Sequence, residues 1–210
     1  YEGGIRSFVE YINEQKHSVL VHPDVIYMRA EKEDCVAEVA LQYNDSYNEM
    51  LLTFANNINT VEGGTHEIGF KTALTKVLND YGRKAGIIKE KDKNLSGEDV
   101  REGLCAIVSV KLEDAQFESQ TKAKLGNSEM RTLVDSIVYT KLAEYLERAV
   151  YYCPFCGLSE FESHKDIIKC KKCSREIRYL PTKRLEGVGF DFPFRFVADW
   201  YDAQKAFMNG

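Results

Sequence analysis

Apolar and polar positions alternate along this chain in periods that mark out a series of elements. Ile5, Phe8, Val9 and Ile12 recur at helical spacing and predict a helix over 4–16. Residues 19–30 and 35–43 are strand-forming, with the charged turn Glu31-Lys32-Glu33-Asp34 between them. A further strand is expected over 48–57, and Gly63-Gly64 then breaks the pattern. Phe70, Ala73, Leu74, Val77, Leu78 and Tyr81 form one apolar stripe and predict a long core-facing helix over 66–83. Ser96 followed by Asp99 resembles a capping box, opening a short helix to about Leu104. Cys105 to Leu112 reads as a strand. Asn127 or Ser128 then caps a helix to about Leu146, with Met130, Leu133, Val134, Ile137, Val138, Leu142 and Tyr145 on its apolar face.

At residues 147–153 the character changes to a cysteine-bearing, basic and aromatic tail, which places a boundary between 1–148 and 149–210. The charge changes with it. Residues 1–150 carry 18 Lys+Arg against 25 Asp+Glu, a net −7, and residues 151–210 carry 10 against 8, a net +2. A bulk-acidic first part is a poor sequence-independent DNA binder, because such binding rests on neutralising phosphates. No apolar run reaches the roughly 18 residues that span a bilayer. The first residues lack signal-peptide character and an initiator Met, so a cytoplasmic fragment of a longer protein is expected.

Several segments follow one another in an order that carries a resemblance: Y-E-G-G-I-R-S-F-V-E-Y-I-N, A-L-Q-Y-N-D-S-Y, F-A-N-N-I-N-T-V-E-G-G-T-H-E-I-G-F-K-T-A-L, N-L-S-G-E-D-V-R-E-G-L and Q-T-K-A-K-L-G-N-S-E. Over about residues 1–146 the chain resembles the transducer domain of bacterial DNA gyrase B, with the B-type subunit of topoisomerase IV as the near alternative. The resemblance implies an α+β fold, a mixed sheet backed by helices in a ribosomal-protein-like βαβ arrangement. It also implies that Gln120 and Lys122 touch the γ-phosphate of ATP, bound with Mg2+ in the full-length enzyme. The partners it implies are a GHKL-type ATPase domain, a gyrase A-type subunit and, transiently, a DNA duplex. An ammonium and an amide suit a phosphoryl oxygen, and their partner departs on hydrolysis, so the contact can bias two domain orientations.

The chain has no P-loop, no Gly-rich ATP lid and no D-x-D metal site. By itself it is expected neither to hydrolyse ATP nor to cut DNA, and it contains no complete catalytic set. Arg83, Lys84, Lys89, Lys91 and Lys93 alternate with Glu90 and Asp92, which reads as a solvated loop rather than a DNA-holding wall. His66 follows Gly63-Gly64 without any nucleophile motif and reads as a hydrogen-bonded histidine at a helix start.

The tail holds Cys153-Pro-Phe-Cys156-Gly157 and Cys170-Lys-Lys-Cys173, the spacing C-x₂-C-x₁₃-C-x₂-C. Two such pairs suit a zinc ribbon, in which four thiolates close a structural tetrahedral site. His164 is a spare donor, since four cysteines complete the shell. So small a unit needs such a staple. Phe190, Phe192, Phe194, Phe196, Trp200 and Tyr201 are expected to pack on it. Lys171, Lys172, Arg175, Arg178, Lys183 and Arg184 interleave with aromatics, so a binding module for nucleic acid, a lipid surface or a protein is the alternative function. The cysteines and the P-F-R-F-V-A-D-W-Y-D-A-Q run also resemble the C-terminal tail of bacterial 1-acylglycerol-3-phosphate acyltransferases. That family's H-x-x-x-x-D motif is missing, and no acyl transfer follows. On these readings the chain is a chimera of a transducer domain and a ribbon.

Overall fold

The computed structural model describes residues 3–22, 24–148 and 152–209. They cluster into two compact units, Tyr1–Tyr81 with Asp92–Glu144, and Gly82–Lys91 with Tyr145–Gly210.

The first unit is built on a five-stranded mixed sheet. Helix α1 (Gly4–Gln15) comes first, followed by strands β1 (Ile26–Lys32) and β2 (Cys35–Tyr43). Their antiparallel pairing runs from Ile26↔Leu41 to Lys32↔Cys35, leaving Glu33 and Asp34 as a two-residue turn with Glu33 at φ 53°. Strand β3 (Met50–Ala55) turns through Asn56 and Asn57, both left-handed, into the short β4 (Ile58–Asn59). Helices α2 (Thr65–Lys84) and α3 (Gly97–Arg101) lead to β5 (Leu104–Lys111), and α4 (Ser128–Arg148) follows. The strand order is β1-β2-β5-β3-β4. Strands β3 and β5 are parallel and joined through α2, which is the expected βαβ crossover.

Each face of this sheet is buried for a sequence reason. Alternate residues of a strand point to opposite faces. Ala40, Cys105 and Ile107 meet Val9 of α1, with Ile5, Phe8 and Ile12 packed around them. On the other face Val39, Leu41, Ala106, Val108 and Val110 are equally buried. The stripes of α2 (Phe70, Ala73, Leu74, Val77) and α4 (Met130, Val134, Val138) are buried as well and supply the second core layer. The two helices cross closely at Gly69, where a Cβ would stand 2.4 Å from the Arg131 carbonyl oxygen.

Several elements differ from the sequence expectation, among them α3, which ends at Arg101 rather than about Leu104. The strand over 19–30 begins only at Ile26; before it Leu20 makes an isolated bridge to Asn44, and His22 turns its Nδ1 to the Asp24 carbonyl at 2.8 Å. The stretch 48–57 is the first arm of a hairpin whose Asn-Asn turn holds two positive φ angles. The side chain of Asn127 does not cap α4; it ties down the preceding loop. The capping box of α3 is as expected, with Ser96 N donating to Asp99 Oδ2 at 2.7 Å and Asp99 N to Ser96 Oγ at 3.1 Å.

The second unit contains a two-stranded hairpin, β6 (Tyr152–Cys153) with β7 (Gly157–Leu158). A four-stranded antiparallel sheet follows: β8 (Phe161–His164), β9 (Ile167–Cys170), β10 (Glu176–Tyr179) and β11 (Leu185–Gly187). Helix α5 (Val197–Asn209) closes the chain, where the sequence pattern shows only an aromatic run. Its Trp200 is fully buried against Ile177 and Leu185, with Phe161, Phe190, Phe192 and Phe194 around it. Trp200 Nε1 donates to the Tyr152 carbonyl at 2.5 Å, and Gln204 Oε1 accepts from Tyr152 N at 3.0 Å. The aromatics pack within this second unit as expected, except that Phe196 stays 39% exposed.

Gly64 makes a tight backbone contact on both sides of Leu125. Its φ is 139°, and a Cβ there would stand 2.5 Å from the Leu125 oxygen and 2.6 Å from the Leu125 nitrogen. Gly64→Ala is expected to lower stability by about 2–4 kcal/mol, read by urea denaturation. The control Gly126→Ala, which meets only the Gln116 oxygen at 3.4 Å, is expected to change it by less than about 1 kcal/mol.

Candidate metal centre and Gln-Thr-Lys loop

Between β5 and α4 the chain folds back on itself as a narrow finger. Phe117 and Leu125 form an antiparallel bridge, Glu118 N donates to Lys124 O at 3.0 Å, and Gly126 N donates to Gln116 O at 2.8 Å. Asn127, 5% exposed, locks the stem. Its Oδ1 accepts from Gln116 N at 2.7 Å, and its Nδ2 donates to Asp114 O at 3.0 Å and to Glu129 Oε1 at 2.7 Å. At the tip, Lys122 N donates to Ser119 O at 3.0 Å, and the Ser119 and Thr121 hydroxyls lie 2.6 Å apart. Lys122 is left-handed at φ 55°.

Gln120 and Lys122 are both exposed on this tip. The Lys122 ammonium stands 6.0 Å over the Phe117 ring, and no carboxylate among the described residues pairs with it. The tip thus presents an amide and a cation side by side to solvent.

The stem is stapled to the start of α2. Leu125 N donates to Gly63 O at 3.1 Å, Thr65 N donates to Leu125 O at 3.1 Å, and Glu62 N donates to Ala123 O at 2.9 Å. Thr65 Oγ1 also donates to Asn127 O at 2.6 Å, so the beginnings of α2 and α4 share the same anchor. The sequence points to the tip but not to Gly64, Leu125 and Asn127. A Gly-Gly pair signals a break, not the strand that will lie against it.

His66 is fully buried beside this anchor, with Nε2 3.1 Å from Thr60 Oγ1 and Nδ1 without a partner. Burial lowers its pKa to about 4, against the small opposing effect of Glu67. It is the hydrogen-bonded helix-start histidine expected from sequence. Arg83, Lys84, Lys89, Lys91 and Lys93 are exposed, but Arg83 and Lys84 belong to the last turn of α2, and only Lys89, Lys91 and Lys93 lie in the loop expected from sequence.

The second unit gathers four sulfurs. The β6–β7 hairpin carries Cys153 and Cys156, and the end of β9 with the turn after it carries Cys170 and Cys173. All four Sγ atoms lie within 4.8 Å of one another, with Cys153–Cys173 at 3.7 Å and Cys156–Cys170 at 3.6 Å. These separations exceed the roughly 2 Å of a disulfide. They match the edge of about 3.8 Å that a tetrahedron with 2.3 Å zinc–sulfur bonds must have.

The electrostatics of the four cysteines are divided. Burial, then the neighbouring thiols of Cys153, Cys170 and Cys173, pushes Cys156 up to about 12. Burial also works against the Cys173 thiolate. Hydrogen bonds from the Arg175 backbone and guanidinium, and from Cys170 and Cys153, outweigh it and bring Cys173 down to about 6. Four sulfurs this close cannot all be thiolates unless a cation sits among them. The donor set therefore fits a divalent soft metal, and nothing in it is left over for an open coordination position. Ser159, whose Oγ is 3.0 Å from Cys170 Sγ, and Arg175 are outer partners that the cysteine spacing does not reveal.

Comparison with known proteins bears chiefly on the first unit and reaches into the second. DNA gyrase B is the matching family, over residues 4–153. The chain is 59% identical over 148 residues to the gyrase B protein of Clostridium acetobutylicum, covering 70% of this chain and 23% of that protein. It is 46% identical over 184 residues to the gyrase B protein of Enterococcus faecalis, covering 88% of this chain and 28% of that one. Among solved structures, the 43K ATPase domain of Thermus thermophilus gyrase B in complex with an aminocoumarin is 41% identical with a TM-score of 0.63, covering 69% of this chain and 38% of that one. The DNA gyrase B protein from Myxococcus xanthus, at 23% identity and a TM-score of 0.57, covers 68% of this chain and 44% of that one and shares the fold.

The mixed α+β first unit thus has the fold of a gyrase B structure. The chain belongs to the DNA gyrase B family. It spans about a quarter of the length of the curated relatives named above. The 184 residues matched in the Enterococcus faecalis protein run past residue 148 into the tail, so the comparisons do not support its being a fused piece, and none of those named is an acyltransferase. No helix among the described residues is long and apolar enough to cross a membrane.

His66 sets a pH dependence. Its folded pKa of about 4 lies below the ordinary 6.5, so the unfolded chain binds more protons between these values. Its contribution is fully present above pH 6.5 and is lost as pH falls toward about 4, for a total of about 3 kcal/mol. Chemical denaturation across that window should show this loss, and His66→Asn should show less of it.

Proposed function

We propose that residues 1–148 form the transducer domain of a gyrase-type subunit, coupling nucleotide state to the DNA gate. In the complete subunit, Gln120 and Lys122 reach the γ-phosphate of ATP, held with Mg2+ in a GHKL-type ATPase domain outside this chain. The observation that carries this reading is the exposed Gln-Thr-Lys tip on a stem hydrogen-bonded to the start of α2. An ammonium at a phosphoryl oxygen is favourable only while that oxygen is present. A stem without slack transmits that difference to α2 and α4, and a differential contact of this kind is what a two-state switch requires. The further partners are a gyrase A-type subunit and a transient DNA duplex.

In a complete subunit containing this chain, Lys122→Ala should reduce ATP turnover by about 100-fold or more while the thermal unfolding midpoint is kept. Lys122 is exposed, so its loss removes no packing. Turnover equal to that of the unsubstituted subunit would remove the loop from nucleotide contact.

Residues 149–210 we read as a zinc ribbon joined to that domain, with Cys153, Cys156, Cys170 and Cys173 holding one structural zinc ion. Bound zinc would neutralise the thiolates and cross-link two knuckles that have little core of their own. The change of character at residues 147–153 supports reading the ribbon as a separate piece, joined by fusion or insertion.

The ribbon has its own reporter. Trp200 is the one tryptophan of the chain and is 0% exposed in the ribbon core. Chelation of the metal should shift its emission to the red as the ribbon opens, and Cys170→Ser should reproduce the shift without chelator. Emission that ignores both treatments would mean that the metal does not hold this unit.

A further inference from the structure

The metal-bearing end of the ribbon presents an aromatic ring and cations together. The knuckle residue Phe155, between Cys153 and Cys156, keeps 43% of its surface in solvent. Its ring is fixed rather than loose: the Arg175 guanidinium sits 4.4 Å from its centroid, and Phe190 meets it edge to face at 5.4 Å. The same guanidinium is 5.9 Å from the Phe190 centroid. Lys171 and Lys172 are exposed on the facing knuckle. Lys172 Nζ is steered inward by the Cys156 carbonyl at 3.1 Å, and Lys171 pairs with Glu160 at 3.1 Å. The pairing of β10 with β11 brings Gly187 back beside Ile177, which returns Phe190 to the cysteine end and leaves Lys183 and Arg184 at the other.

We propose that this knuckle face binds single-stranded nucleic acid, with one base on Phe155 and the backbone phosphates on Lys171, Lys172 and Arg175. The proposal rests on the zinc-ribbon reading above, because the sulfur cluster is what draws the two knuckles together. A base stacks on an aromatic face whatever its sequence, and nearby cations take the phosphates. The ring's setting selects the partner. A duplex keeps its bases stacked inside and has none to give Phe155. A lipid surface takes up freely moving apolar side chains, whereas this ring is gripped by a guanidinium and edged by a second ring.

The test is fluorescence anisotropy of the zinc-loaded chain with a labelled oligothymidylate of about ten nucleotides. Binding should weaken with salt at a log–log slope of about −2, the value for three neutralised phosphates on a single strand. Phe155→Ala should weaken it about tenfold. Lys172→Ala should lower the slope, and Lys183→Ala at the far end should leave affinity unchanged. Zinc content is measured on every sample. A zinc-loaded chain that does not bind the oligonucleotide, binds a duplex equally well, prefers phosphatidylserine vesicles, or binds as well with Phe155→Ala overturns this proposal alone. A purified chain without zinc overturns the metal reading and this one with it.

Discussion

The hydrogen-bonded pairing of Leu125 with Gly63 and Thr65 is the constraint on which the first unit's functional geometry depends. It puts a backbone strand where a side chain would normally stand, and only a glycine at position 64 leaves room. Leu125 is wholly buried, so the stem cannot slide without exposing it. Asn127 adds three side-chain bonds at the other side of the stem. The result is a finger whose tip is all solvent and whose base is part of the core. Exposed groups can meet a ligand, and buried backbone bonds are costly to break, which is the arrangement the proposed coupling to the starts of α2 and α4 requires.

The second unit solves a different problem. Its core is a few residues around Trp200, Ile177 and Leu185, with aromatics from the chain's last stretch folded over them. Short strands of two to four residues contribute little burial. Two additions compensate. Helix α5 delivers Trp200 and Gln204 to the backbone of Tyr152, next to the first cysteine. The four sulfurs draw both knuckles to a common centre. Arg175 serves both features at once, as hydrogen-bond donor to Cys173 and as the cation over Phe155.

Much of this is legible in the chain and some is not, for identifiable reasons. Long stripes such as Phe70 to Val77 and Met130 to Val138 announce their helices because packing and periodicity agree there. The capping box at Ser96 and Asp99 is readable because it is local. The C-x-x-C pairs announce a cluster because knuckle geometry is fixed by spacing. The Asn56-Asn57 hairpin escapes a pattern reading because its second arm is only two residues long. Helix α5 is hidden because Phe190, Phe192 and Phe194 alternate at strand period just before it, and that run belongs to the core as a strap. Asn127 looks like a helix cap because it stands where caps stand. Its partners are eleven and thirteen residues back in the chain, and no local pattern shows them. Likeness to gyrase proteins points to Gln120 and Lys122; the structure adds how their loop is held.

The most direct test of the coupling account is amide hydrogen exchange in a complete subunit containing this chain, with a non-hydrolysable ATP analogue and then with ADP. The account predicts that the analogue slows exchange at Gln120 to Ala123 and, through the staple, at Leu125 and Thr65, and that ADP leaves all of them as in the nucleotide-free protein. Protection confined to the ATPase domain, or identical protection with the analogue and ADP, would contradict it.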